Sequence, residues 1–317
     1  MDGAAFEAIV AELARSPGLA AKADIATIAG RLGLKAATVG DDCAALPDGD
    51  GHLLFAMEGF LSGFVAADPW FAGWCGVMVN VSDVAAMGGR PLAVCDALWA
   101  AGATQAAPLL DGLAAAARAY GVPIVGGHTN LTSATPQLSV AILGRAKKLL
   151  TSFDAAPGDA LVLAADHRGG YREPFDNFQA ALDAPPERLR ADLALLPEIA
   201  ESGLARAAKD VSQAGIVGTA AMLAECSRAA IEVDLGAIPV PSGVALARWL
   251  KTFPSYGFLL PVAPANVETV LALFGARDLS AAVIGQVQEG AEIAVASAGR
   301  RARVRHFGAE PLMGFRA

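Results

Sequence analysis

The sequence predicts a two-domain chain of mixed helices and strands, and three observations carry that prediction. Its 317 residues exceed the usual size of a single hydrophobic core. Helical and extended apolar spacings alternate along both halves. A turn at Phe153-Asp154-Ala155-Ala156-Pro157-Gly158-Asp159 precedes a new buried run, so the expected domains are residues 1–148 and 149–317.

Residues 4 to 33 read as two short helices broken at Ser16-Pro17-Gly18. Extended runs follow at Ala44–Leu46 and Leu53–Met57. Asp68-Pro69 is an N-cap and first-turn proline, and Gly88-Gly89-Arg90-Pro91 is a stop, which predicts one helix over Pro69–Met87. A strand at Leu92–Trp99, a helix over about Gln105–Tyr120, and strands at Val122–Val125 and Leu138–Gly144 complete the first half. In the second half, strands are expected at Ala160–Ala164, Ile231–Leu235, Val283–Gly285 and Ile293–Ala296. Helices are expected near Glu173–Leu182, Glu187–Ser202 and Gly215–Ser227. Arg300, Arg301, Arg303 and Arg305 read as edge protection on a last strand.

Composition excludes several function classes. A net charge of -8 disfavours a nucleic-acid or anionic-membrane partner, which needs a basic surface. The 54% hydrophobic content is rich in alanine and broken by Pro, Gly and polar residues, so no transmembrane helix is expected. Acidic Asp2 and Glu7 replace the basic start of a secretory signal, and the expected location is the cytoplasm. Cys43, Cys75, Cys95 and Cys226 form no CxxC pair or zinc spacing and read as reduced thiols.

The strongest chemical signal is Asn80-Val81-Ser82-Asp83-Val84-Ala85-Ala86-Met87-Gly88-Gly89-Arg90-Pro91. On the predicted helix Gly73, Gly76, Asn80, Asp83 and Met87 share one stripe, thin enough for another backbone or a ligand to come close. A buried Asp83 needs a cation, a donor or a metal. Four other segments place polar residues beside glycine at the end of an apolar run. Asp41 and Asp42, in Gly40-Asp41-Asp42-Cys43-Ala44-Ala45, sit in a turn that a hard cation could reach, or that is simply an Asx-turn. Glu58 ends a strand, where an acid is ordinarily solvated and less often functional. Gly126-Gly127-His128-Thr129-Asn130 brings backbone N–H groups toward a phosphate, or is a plain loop. Asp210-Val211-Ser212-Gln213-Ala214-Gly215 leads into a helix whose N-terminus suits an anion, with capping by Asp210 or Ser212 as the alternative.

Taken together in order and spacing, these segments resemble the family of aminoimidazole ribonucleotide (AIR) synthetase, thiamine-monophosphate kinase, selenophosphate synthetase and the carbamoyl-dehydrating hydrogenase maturation factor. The family forms GDDAA, NxSDxAAMGxxP, GGDT or GGHT, PGD and D-[ST]-x-x-G appear here as GDDCAA, NVSDVAAMGGRP, GGHT, Pro157-Gly158-Asp159 and Asp210-Val211-Ser212. The resemblance implies two α+β domains: an N-terminal sheet that forms a β-barrel with its copy in a homodimer, and a C-terminal mixed sheet flanked by helices. It implies ATP and Mg2+ as cofactors and a small-molecule acceptor. By position it makes Asp42, Asp83 and Asp210 catalytic, and Asp41, Asp42, Glu58, Asp83 and Asp210 metal holders. It turns Asn80, Gly126, Gly127, His128, Thr129, Lys148 and Ser212 toward the nucleotide. All-oxygen ligation suits Mg2+, and converging carboxylates need such a charge to stay ionised together.

The chain also departs from the named branches. Where the thiamine-monophosphate kinase pattern carries Thr-Asp, His-Phe, GGDT, Asp-x-Ser-Asp-Gly and Gly-Gly-Glu-Asp, this chain has Met57-Glu58, Gly63-Phe64, Gly127-His128, Ser212-Gln213 and Ser255-Tyr256-Gly257. The reactive cysteines of the selenium and maturation branches are missing, since the first cysteine is Cys43 and the chain ends Met313-Gly314-Phe315-Arg316-Ala317. His128 reads as a metal ligand, a phosphate donor or a hydrogen-bonded loop residue. Asp166-His167-Arg168-Gly169-Gly170 is expected near the acceptor pocket because it follows the first strand of the second half. The closest subgroup is the one described only as AIR synthase-related. The expected function is a Mg2+-dependent ATP-using enzyme that phosphorylates or activates a small polar metabolite. The rivals are a nucleotide-binding homologue that has lost turnover and a structural partner in an assembly.

Overall fold

The computed structural model describes residues 1–34 and 39–314. The chain divides into two compact units. The first comprises Asp42–Leu149 with Asp183–Glu201, and the second comprises Met1–Asp41, Leu150–Leu182 and the chain from Ser202 onward. The chain passes from one unit to the other between Leu149 and Leu150, and each unit also takes in a segment from beyond that point.

Three short helices open the chain in the second unit: α1 (Gly3–Ala14), α2 (Pro17–Ala21) and α3 (Ala23–Leu32). Proline at the start of α2 and left-handed Gly33 after α3 mark the breaks.

The first unit then builds β1 (Ala44–Asp48), β2 (Gly51–Phe60), α4 (Ser62–Ala67), α5 (Pro69–Ala86), β3 (Arg90–Ala101), α6 (Ala103–Tyr120), β4 (Ile124–Asn130) and β5 (Thr132–Ala146). Its sheet runs β1-β2-β5-β3-β4, antiparallel except for the β3–β4 pair. Asp68 caps α5 by accepting from the Phe71 N–H at 3.1 Å, and left-handed Gly88 ends it, as the sequence predicts. From Phe71 to Ala86 every residue of α5 is buried, because one side lies on the sheet and another on α6. Glycine permits both approaches. A Cβ on Gly73 would sit 2.1 Å from the Leu109 carbonyl oxygen, and one on Gly112 would sit 1.9 Å from that of Trp70. The same unit takes in α7 (Pro186–Leu193) and α8 (Leu195–Glu201), which pack on α6 and α5 respectively. The helix expected over Glu187–Ser202 is thus two helices, separated at Ala194.

The second unit continues with β6 (Ala160–Ala165), β7 (Gly170–Tyr171), β8 (Asn177–Gln179), β9 (Lys209–Asp210), α9 (Gly215–Ser227), β10 (Ala230–Asp234), α10 (Leu246–Trp249), β11 (Phe253–Pro254), β12 (Gly257–Val262), α11 (Val267–Gly275), β13 (Ser280–Gln288), β14 (Glu292–Ser297) and β15 (Arg300–His306). A seven-stranded mixed sheet runs β15-β14-β10-β13-β6-β12-β9. Its central strands β6 and β12 are apolar without alternation because both faces are covered. The arginine strand β15 lies at the edge, where Arg301 pairs with Glu232 and Glu292. The helix expected over Glu173–Leu182 does not form. Asn177–Gln179 is instead the middle strand of a small sheet, β11-β8-β7. Phe178 is held there by Trp249 and Tyr171, each at 5.4 Å between ring centroids, and tertiary packing overrides the local helical spacing.

Among the described residues no helix is long and apolar enough to cross a membrane.

Candidate functional site

In the first unit the functional side chains gather where α5 lies on β5. Asn80 is wholly buried, and its amide donates to the Gly76 carbonyl at 2.8 Å and to the Val140 carbonyl at 3.0 Å. Both amide hydrogens are therefore used to fasten the helix to the strand, and Oδ1 has no hydrogen-bond partner among the described residues. One turn later Asp83 is 5% exposed, and its carboxylate lies within 4.8 Å of that of half-buried Asp42. Two carboxylates so close repel each other and call for a positive charge.

Strand register brings further acids to this face. Glu58 and Asp96 both stand opposite Val140, on the two strands that flank it. Glu58 lies inside β2 rather than at its end, since pairing with β5 carries the strand on to Phe60. Asp96 did not announce itself in the sequence, where an acid within an alternating strand reads as a solvated residue. It packs against Gly127, whose absent Cβ would lie 2.6 Å from the Asp96 carboxylate. Burial raises the Asp96 pKa, and its Oδ1 has no hydrogen-bond partner among the described residues.

That shift has a definite sign. The unfolded carboxyl ionises at its ordinary value, whereas the folded one resists ionisation, so its contribution to folding is best at low pH and declines as pH rises through the unfolded value toward the folded one. Asp96→Asn is expected to raise the melting temperature of the metal-free protein at neutral pH, with the gain vanishing below about pH 3.8. Melting curves across pH test this, and an equal gain at all pH values would assign the effect to packing instead.

Gly126, Gly127, His128 and Thr129 are exposed. They belong to edge strand β4, not to a loop after it, because the strand starts at Ile124 and pairs with β3 through Asn130. An edge strand keeps alternate N–H groups unpaired, so the backbone donors expected of these glycines remain. The His128 ring lies 6.0 Å from that of Trp99. Lys148 is exposed in the turn that follows β5.

The second unit holds the remaining candidates. Asp41 accepts from the Ser152 N–H at 2.9 Å, so one of its oxygens fastens its own turn. Asp210, 4% exposed, pairs in β9 with Phe258 of β12. Ser212 follows in the loop to α9, and its buried hydroxyl has no hydrogen-bond partner among the described residues. Gln213 is exposed. Lys209 is a further residue that sequence reasoning passed over. It is 2% exposed, and its ammonium donates to the Gly40 carbonyl at 3.2 Å and reaches the Ser152 hydroxyl at 3.5 Å. The available signal was a lysine closing the apolar run Ala207-Ala208 directly before Asp210. In the Asp166–Gly170 segment, Arg168 binds the Asp166 carboxylate at 2.8 and 3.0 Å and donates to the Arg277 carbonyl at 3.0 Å. His167 packs edge-on against Trp249 at 5.2 Å, and burial lowers its pKa.

The chain is thus a two-unit α+β protein with carboxylates gathered against a glycine-thinned helix. Residues 40–146 match the family described as "AIR synthase related protein, N-terminal domain", and residues 156–297 match its C-terminal domain. The chain belongs to the AIR synthase-related family. It is 48% identical over 291 residues to the "Uncharacterized protein sll0787" of Synechocystis sp., covering 89% of this chain and 90% of that one. It is 28% identical over 280 residues to the phosphoribosylformylglycinamidine synthase subunit PurL of Methanosarcina mazei, covering 79% of this chain and 38% of that protein. Among solved structures, "T. maritima PurL complexed with ATP" superposes with a TM-score of 0.71 at 22% identity, over 86% of this chain and 46% of that one. "AaThiL complexed with AMPPCP and TMP" superposes with a TM-score of 0.66 at 21% identity, over 87% of this chain and 94% of that one. The chain thus spans less than half the length of the PurL chains, and these structural likenesses establish the fold.

Proposed function

We propose that this chain is a Mg2+-dependent, ATP-using enzyme that phosphorylates or activates a small polar metabolite. The observation that carries the reading is the buried Asp83 carboxylate within 4.8 Å of that of Asp42, on a face where strand register also aligns Glu58 and Asp96. This donor set is all oxygen and fits a hard divalent cation that keeps some of its water. Bound there, Mg2+ would neutralise nucleotide phosphate charge. Asp42, Asp83 and Glu58 would hold the ion, and the family resemblance adds Asp41 and Asp210 of the second unit to that set. Thr129 and the edge N–H groups of Gly126 and Gly127 would bind phosphate or ribose, with His128, Lys148 and the unpartnered Ser212 hydroxyl as donors. Asn80 positions rather than binds, because both its amide hydrogens already hold Gly76 and Val140. Lys209 adds a fixed positive charge that braces the Gly40 turn. The nucleotides named in the PurL and ThiL structures support an ATP site.

Titration with a non-hydrolysable ATP analogue, with and without Mg2+, tests the reading. Saturable binding that requires the ion is expected, and its absence would sink the proposal. Exposed Gln213, where the kinase branch has an acid, favours a second reading in which nucleotide binding persists without turnover. ADP release with a pool of metabolites separates the two.

A homodimer belongs to the same proposal. The sheet face turned away from α5 carries Phe55 at 48% and Met57 at 62% exposure, with Leu143 in register with Phe55. Apolar side chains in such a row are suited to burial against a second copy. The intact protein is expected to sediment as a dimer and Met57→Glu at half that mass; a monomeric parent protein would remove this part.

A further inference from the structure

The first unit contains a cavity of about 200 Å3 that the acid cluster does not use. It opens where the end of α5 meets the α7–α8 pair, with Val81, Ala85, Leu193 and Pro197 as apolar wall. Three groups give it polarity: Arg90, Arg190 and Tyr120. They are not equivalent. Arg90 is committed to an ion pair with Glu201. Arg190 has no carboxylate within ion-pair reach among the described residues. Its side chain lies against left-handed Gly121, where a Cβ would come within 3.1 Å of Cδ and 3.2 Å of Nη1. Tyr120 is 5% exposed, yet its hydroxyl has no hydrogen-bond partner among the described residues. Buried phenols ordinarily find a partner, so this one is a donor left for a ligand. Desolvation holds it in its neutral, donating form.

The chemistry of an occupant follows from these walls. Apolar residues exclude a sugar or a polyphosphate, and the volume falls below the roughly 300–1,000 Å3 usual for cofactor-sized ligands. The exposed, unpaired Arg190 guanidinium and the Tyr120 phenol donor, both lining the cavity, match one carboxylate, which a planar fork can hold bidentately. We propose that this cavity binds a small apolar monocarboxylate, its body against Val81, Ala85 and Leu193 and its carboxylate on Arg190 and Tyr120. The site is separate from the proposed nucleotide site, although Val81 and Ala85 stand two residues either side of Asp83 on the same helix.

Calorimetry on the intact protein with 3-phenylpropanoate, 3-phenylpropanol and 3-phenylpropylamine tests it. The acid is expected to bind with one-to-one stoichiometry, the alcohol roughly tenfold more weakly, about 1.4 kcal/mol, and the amine not at all. Arg190→Gln should bring the acid to the level of the alcohol and leave the alcohol unchanged. Tyr120→Phe should weaken the acid several-fold. Ala194→Trp, on an exposed lining residue, should fill the cavity and abolish binding without lowering the melting temperature. Absence of saturable binding by the acid at millimolar concentration overturns the proposal, as does acid affinity that survives both Arg190→Gln and Ala194→Trp.

Discussion

Asp83→Asn is expected to weaken Mg2+-dependent binding of a non-hydrolysable ATP analogue by at least about tenfold, or roughly 1.4 kcal/mol, while Mg2+-independent binding changes little. The substitution keeps the shape of the side chain and removes one anionic ligand. Asp83 is 5% exposed on a helix buried over its whole middle, so an ion there would be poorly screened by water and its loss felt in full. The variant should keep the fold, because an amide of the same shape fills the same buried place. Calorimetric titration measures the loss of binding, and a melting curve checks that the fold is kept. Unchanged Mg2+ dependence with normal stability would remove Asp83 from the metal site.

Gly112→Ala should destabilise the first unit by about 1–3 kcal/mol, because the new methyl would stand 1.9 Å from the Trp70 carbonyl oxygen, a backbone atom that cannot rotate away. The helices α5 and α6 must separate to admit it, lifting α5 from the partners that keep Asn80 in place. Gly73→Ala acts at the same contact from the other helix, 2.1 Å from the Leu109 carbonyl oxygen. The double variant is therefore expected to lose less than the sum of the two, since helices already parted by one methyl have room for the other. Urea unfolding of the four proteins measures that coupling. Strict additivity would mean that the two glycines act at independent sites.

Much of this was legible in the sequence where a local rule governs. The limits of α5 follow from Asp68-Pro69 and Gly88, and the unbroken apolar run of β6 follows from cover on both faces. Legibility fails where a residue's role is assigned by a distant partner. Asn177–Gln179 becomes a strand only because Gly170–Tyr171 and Phe253–Pro254 flank it. Asp96 acquires its raised pKa from burial beside Gly127, which register alone brings next to it. Asn80 and Asp83 stood out together as polar residues on one buried stripe. Only the carbonyls of Gly76 and Val140 reveal that the amide of the first fastens the helix to the strand.

The segment Asp183–Glu201 has a consequence for the order of events during synthesis. The wall that α7 and α8 lend to α5 and α6 is encoded well after the last strand of that unit's sheet. A ribosome that has released β5 has therefore made a sheet and two helices whose outer cover is still to come, and the opening helices α1 to α3 wait longer still for the strands they join. Gene halves divided at residue 149 would each leave apolar surface uncovered, so the separately expressed halves are expected to be less soluble than the whole chain.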